Sequence, residues 1–173
     1  LEIDSAGGYP VAGEEVANRL KWAKKPTIAL IRQQGISAAY WAATGADVIF
    51  ASKNSDVGSI GVTMSYLQDV KKNEKEGLEY IQISSGKFKD TGDPSKPLTN
   101  EEKELLMRDS KIIHENFIEA VAKNRNLDIE KVRQLADGSS MLGEMALQNG
   151  LIDQIGGISE VKVFIRVKNR SGK

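Results

Sequence analysis

The chain of 173 residues contains no cysteine and one histidine, His114. The first absence excludes a disulfide framework, a thiolate metal site and a cysteine nucleophile. The second argues against a histidine-rich metal centre, and no Asp-X-His grouping supports a Ser-His-Asp triad. Charge of one sign is also missing: Lys plus Arg is 24 and Asp plus Glu is 24, so the formal net charge is zero. Bulk charge therefore gives no reason to expect a nucleic acid or another polyanion as partner. No apolar run approaches the roughly 20 residues that cross a bilayer, and the opening LEIDSAGG reads as part of a domain rather than as a signal peptide. With 40% hydrophobic and 28% charged residues, the composition is that of one globular domain with a real core.

What is present alternates between strand and helix patterns. The opening LEIDSAGG reads as a strand end, Leu1 to Ile3, running into a glycine turn. That leads to the expectation of a domain entered part-way, truncated on its N-terminal side. Val11 to Lys25 carries Val16, Leu20 and Ala23 at helical spacing, and Pro26 stops it. TIALI (27–31) and DVIFAS (47–52) are continuous apolar runs of buried-strand type. SAAYWAATG reads as a short helix ending at Gly45. DVGSIGVTM (56–64) is a strand or turn, Leu67 to Glu76 a polar helix closed by Gly77, and LEYIQIS (78–84) a strand. The spacing predicts a loop over 85–97. A long helix follows over 99–124, opened by a Thr99/Glu102 capping box and striped by Leu106, Ile113, Phe117 and Val121. Helices at 128–136 and in EMALQNGLIDQIGG (144–157) come next, and Asn169 to Lys173 should fray. Strands alternating with helices imply a largely parallel α/β domain.

Two stretches carry possible chemistry. In SAGGYP (5–10), Gly7 and Gly8 follow a strand and precede a helix, so their N–H groups are placed to meet an anion or a developing oxyanion; a tight turn is the plainer reading. Ser37 follows TIALIRQQGI and opens a run of small residues. At a strand-to-helix turn its hydroxyl is exposed and the Ala38 N–H becomes free for an oxyanion. Serine is also a favoured N-cap, and by local sequence the cap is the simpler account. If Ser37 is a nucleophile, its base is a problem. His114 lies beside the apolar stripe of the long helix, where a packing or surface role is more common. A lysine remains: its ordinary pKa of about 10.4 falls by several units when burial disfavours the charge. Periodicity does not choose among the lysines.

IDSAGG, GISAAYWAATGADVIFAS, VGSIGV, ISSGKFKDTGDP and ALQNGLIDQIGG, in this order, resemble the signal peptide peptidase SppA family of serine proteases. The resemblance runs from Leu1 to about Gly157, with 158–173 as a C-terminal extension of a single protease domain, 1–173. It implies the ClpP/crotonase fold, a spiral of repeated ββα units on a largely parallel sheet. It implies Ser37 as nucleophile (S-A-A-Y-W for the family's S-G-G-Y-Y), Lys89 as general base (the lysine of S-G-x-x-K-D), and Ser59 of GSIGV as the residue that orients the lysine. If the segment is extended, Ser85, Lys87 and Lys89 share a face, so pattern alone does not separate Lys87 from Lys89. The S-A-G-G turn stands for the family's S-P-G-G and implies Gly8, with Gly7 as alternative, as one oxyanion donor and Ala38 as the other. Three departures are all small: Ala6 for proline, and Ala38 and Ala39 for glycines. The family's G-R-x-x-x-G-x-x-A motif is met only loosely, as DGSSMLGEMA.

The implied activity is a Ser-Lys endopeptidase needing no metal or ATP. It would act on remnant signal peptides or other extended hydrophobic chains, as a ring-shaped homo-oligomer associated with a membrane through a segment outside this chain, on its extracytoplasmic face. The alternatives are a phage-type head-maturation protease of the same superfamily, a crotonase-like acyl-CoA enzyme, and an inactive scaffold subunit.

Overall fold

A computed structural model describes residues 1–171, which form two compact units: 1–62 with 114–171, and 63–113. The first unit is built on β2 (Ile28–Ile36). One edge of β2 carries β1 (Glu2–Ser5); the other carries β3 (Val48–Ala51) beside residues 28–31 and then β4 (Asp56–Gly58) beside residues 34–36, all parallel. β5 (Ser140–Leu142) adds antiparallel to β4, and β6 (Gln154–Ile155) adds parallel to β3. The expected, largely parallel sheet is thus observed.

The apolar runs form strands because both faces are covered. Ala29 and Ile31 point into the main core with Ile49, Val57, Phe117 and Val121, while Leu30 points the other way, against Phe50 and Val161. That second face is covered by α7 (Ile158–Ser171), whose Phe164 meets Phe50 edge-on at 5.5 Å. The fraying expected from Asn169 is not seen up to Ser171; residues 172 and 173 lie outside those described. α4 (Asn100–Arg125) supplies Phe117, Ile118, Val121 and Ala122 to the main core. α5 (Ile129–Leu135) adds Val132, its first turn capped by the Asp128 carboxylate, which accepts from the N–H groups of Glu130 and Lys131.

Two helices correct the sequence reading. α1 (Pro10–Lys21) buries Gly13 and Ala17, and Val16 is exposed. The reason lies across the contact with α2 (Ala38–Thr44). A Cβ on Gly13 would sit 2.4 Å from the Ala38 carbonyl oxygen, and one on Gly45 would sit 2.1 Å from that of Ala17. The helices approach so closely that the smallest residues, not the most apolar, must face inward. Gly45 likewise does not end α2 through a left-handed cap, since its φ is −73°; it is small because Ala17 is there. The αL glycine cap is found at Gly150, φ 80°, after α6 (Gly143–Asn149).

In the second unit, α3 (Val70–Lys75) is shorter than expected and is followed by Gly77 at φ 70°. Residues 78–84 form no strand, and Ile83 is 96% exposed. LEYIQIS has the alternation of a strand, but a strand exists by pairing, and no other strand belongs to this unit among the described residues. The capping box forms as expected: Glu102 N–H donates to Thr99 Oγ1 at 3.2 Å, and Thr99 N–H to Glu102 Oε2 at 2.9 Å. No helix among the described residues is long and apolar enough to cross a membrane.

The α1–α2 contact yields a prediction. Gly45→Ala, which keeps an ordinary φ and adds one methyl, should lower unfolding free energy by about 1–3 kcal/mol or more through overpacking, measured by urea denaturation. Gly86→Ala, where a Cβ meets nothing within 4 Å, should leave it nearly unchanged.

Candidate active site

Three parallel strands end together. β1 runs out at Ser5 into Ala6-Gly7-Gly8, β2 at Ile36, and β4 at Gly58. Ile36 is paired with Gly58, so the residues that follow them, Ser37 and Ser59, lie side by side. The Ser37 N–H donates to the Gly58 carbonyl at 2.8 Å. Both serines have left-handed φ, 54° at Ser37 and 51° at Ser59; the only other non-glycine residue of this kind among those described is Asn126. Such backbone costs on the order of 1–3 kcal/mol per residue and persists only where the surroundings impose it.

This geometry separates the two readings of Ser37. An N-cap serine has extended backbone and gives its hydroxyl to the first turn. Ser37, at φ 54° and ψ −132°, makes no side-chain cap bond. The residue is half-buried, and a left-handed serine between a parallel strand and a helix is the arrangement of a strand–nucleophile–helix elbow. Behind it, α2 is locked in the core. The buried Tyr40 hydroxyl donates to the Leu151 carbonyl at 2.8 Å, and Trp41 stacks on Phe117 at 4.7 Å and 7°. Burial pushes the Tyr40 phenol up from its ordinary pKa, so it stays a neutral donor. GLIDQIGG thus serves structure: Leu151 receives Tyr40, and Asp153 takes the Ile49 N–H at 2.7 Å and pairs with the largely buried Arg125 at 2.6 Å.

The glycine turn closes over Ser37. Gly7, at φ 105°, comes so near that a Cβ there would lie 2.7 Å from Ser37 Cβ and 3.1 Å from Ala38 N. Its N–H donates to Ser5 Oγ at 3.1 Å. Gly8 is exposed, with open space around it, and its N–H has no acceptor among the described residues. Ala38 is the first residue of α2, where a helix N–H has no partner within the helix. A cavity of about 180 Å³ opens beside these groups, lined by Gly7, Gly8, Tyr9, Gly13, Ala38 and Ala42.

Ser59 is held by a turn whose part the sequence did not reveal. Its N–H donates to the Ser139 carbonyl at 2.9 Å and its hydroxyl to the Gly138 carbonyl at 2.9 Å. Asp137 fixes that turn by accepting from the N–H and hydroxyl of Ser139. DGSS is therefore the clamp on Ser59. His114 is half-buried, and its buried Nε2 makes no hydrogen bond among the described residues, in keeping with a packing role.

Lys89 belongs to the second unit. Residues 85–97 are successive turns: Lys89 N–H donates to Gly86 O at 3.1 Å, and Asp93 N–H to Asp90 O at 3.0 Å. The segment is not extended, so the shared face of Ser85, Lys87 and Lys89 is not formed. The loop lysines differ in their partners. Lys87 pairs with Glu101 at 2.6 Å, and Lys96 pairs with Asp90 and Glu102. Lys89 is exposed and has no ion pair among the described residues. No group of side chains suited to a metal occurs among the described residues.

The model for peptidase family S49 matches residues 19–168. The chain belongs to peptidase family S49. That match reaches past Gly157 into α7, the helix that covers one face of the sheet. A protein of Methanocaldococcus jannaschii named as a protease is 37% identical over 90% of this chain and 51% of its own length. A protein of Enterococcus faecium named for signal peptide peptidase SppA is 35% identical over 90% of this chain and 46% of its own. The chloroplastic serine protease SPPA of Arabidopsis thaliana is 31% identical over 97% of this chain and 25% of its own. The chain thus spans about half the length of the first two and a quarter of the third. Among solved structures, a ClpP1 variant from Listeria monocytogenes superposes with a TM-score of 0.57 at 15% identity, over 90% of this chain and 71% of that one. The fold is that of ClpP, as the motifs implied.

The strain at Ser37 is measurable. Ser37→Gly, which tolerates φ 54°, should be more stable than Ser37→Ala by about 1 kcal/mol in chemical denaturation. Equal stability would mean that the elbow is not strained.

Proposed function

We propose that the chain is the catalytic part of a serine endopeptidase with Ser37 as nucleophile and Lys89 as general base. The observation that carries this is the elbow at Ser37: a serine without a capping bond at the C-terminal end of a parallel strand, followed by Ala38, whose N–H opens the helix and has no partner within it, with the glycine turn against both. Neutral Lys89 takes the hydroxyl proton as Ser37 Oγ bonds to the carbonyl carbon of a peptide. The N–H groups of Gly8 and Ala38 receive the oxyanion. Gly8 is preferred to Gly7 because the Gly7 N–H is already given to Ser5. The C–N bond breaks as Lys89 returns the proton to the leaving amine. Water, deprotonated by the same lysine, then releases the acyl group and restores Ser37.

Ser59 fits the role of orienting the lysine. A hydroxyl has one proton and two lone pairs. Its proton goes to Gly138, so its oxygen is left to accept an N–H from an amine. The Lys89 assignment, ambiguous in sequence, is favoured by the ion pairs that occupy Lys87 and Lys96. On the resemblance to proteins named for signal peptide peptidase, the substrates are cleaved signal peptides or other extended hydrophobic chains. The ClpP-like fold supports a homo-oligomeric ring, and work at a membrane, through a segment outside this chain, is the part of the reading that rests on the motif resemblance alone.

Cleavage of a fluorogenic hydrophobic peptide by the full-length protein tests the assignment. Ser37→Ala and Lys89→Ala should each lower kcat/KM by about 1,000-fold or more, as for members of a catalytic unit, while Lys87→Ala stays within about threefold, as for an exposed ion pair. Loss in Lys87→Ala with retention in Lys89→Ala would transfer the role to Lys87.

A further inference from the structure

The loop that carries Lys89 has no strand or helix of its own from 85 to 97. A general base must be held within roughly 0.5 Å of its working place, which a free surface loop does not achieve. What restrains this one is a set of charged side chains. Lys96 Nζ lies between Asp90 Oδ1, at 3.3 Å, and Glu102 Oε1, in direct hydrogen-bond contact. The three side chains are only 16%, 15% and 3% exposed. The Tyr80 hydroxyl donates to Asp90 Oδ2 at 3.1 Å. Glu102 is also the residue of the capping box, so it is tied to the backbone of Thr99 and to the first turn of α4. A further tie runs from the Asp69 N–H to the Pro94 carbonyl at 2.7 Å.

Two carboxylates around one ammonium make a poor device for stability. Desolvating such groups costs about as much as their attraction returns, and apolar replacements of similar volume are often as stable or more so. The arrangement does fix geometry. It joins Asp90, the neighbour of Lys89, to the capped first turn of α4. It also explains why Lys96 is not itself a candidate base. The hydrogen bond to Glu102, chiefly, and the Asp90 carboxylate raise its pKa, while Lys96 in turn holds Glu102 down to about 2.

We propose that Asp90, Lys96 and Glu102, with Tyr80, are positioning residues that hold Lys89 in place for proton transfer. This rests on Lys89 being the base. The carboxylate of Asp90 accepts a hydrogen bond from Tyr80 on Oδ2, while its buried Oδ1 is held by charge alone, in the ion pair with Lys96. The chain is therefore pinned one residue beyond the base, and the Lys89 side chain is the part left free to act.

The test uses the full-length protein, a fluorogenic hydrophobic peptide and thermal melts. Lys89→Ala is measured first: retained cleavage there would refute the assignment of the base, and with it this inference. With Lys89 essential, Lys96→Met should lower kcat by about 100-fold, as expected for a base displaced by an ångström, while KM changes little. Lys96→Arg should recover most of the rate, because a guanidinium still bridges the two carboxylates. A purely structural role would move the melt and not split kcat from KM. Folded Lys96→Met and Asp90→Asn proteins with full kcat, beside an inactive Lys89→Ala, would overturn the proposal and leave the base assignment standing. If Lys96→Met does not fold, Tyr80→Phe removes one O–H from a partly exposed ring. A several-fold loss of kcat at an unaltered melt supports the proposal, and an unchanged kcat refutes it.

Discussion

The parallel pairing of β2 with β4, which ends at Ile36 and Gly58, is the constraint on which the site depends. Because the strands stop in register, the next residue on each must leave the sheet at the same place. The Ser37 N–H still reaches back to the Gly58 carbonyl. With that bond kept and a helix starting at Ala38, the backbone of Ser37 is driven to φ 54°, and Ser59 beside it to 51°. Strain at these two serines is the local consequence of a favourable sheet, and the ladder around them offsets it.

That strain needs a rigid frame on the other side. α2 provides it through an unusual mix of residue sizes. Its alanines and the following glycine let α1 approach to contact distance, which brings the Gly7–Gly8 turn onto Ser37. Its two aromatics do the opposite work and root the helix: Tyr40 to Leu151, Trp41 to Phe117. A segment that reads as a plain small-residue helix is therefore a wedge, thin toward the site and thick toward the core. The 13-residue loop with Lys89 has no such wedge, and charged side chains take over the task of holding it.

What could be read from the sequence follows from how local each signal is. TIALI and DVIFAS were legible because strands covered on both faces are apolar at every position. Thr99 and Glu102 were legible because a capping box is complete within four residues. The face of α1 was misread: apolarity pointed to Val16, whereas the contact with α2 selects for size at Gly13 and Ala17. LEYIQIS was misread because pairing, not propensity, makes a strand. The N-cap reading of Ser37 failed for a related reason. Its φ follows from the bond to β4, a strand some twenty residues on, imposed on a chain that must start a helix at Ala38. The clamp on Ser59 comes from Gly138, 79 residues away. The roles proposed for Ser37 and Lys89 come only from motifs shared with a family.

The proposed chemistry requires Ser37 to be an activated nucleophile. Reaction of the full-length protein with a fluorophosphonate, followed by intact-mass measurement and peptide mapping, asks this directly. One adduct is expected, on Ser37, absent from Ser37→Ala and strongly reduced in Lys89→Ala. A folded, assembled protein that forms no adduct, or forms it on another residue, would contradict this chemistry.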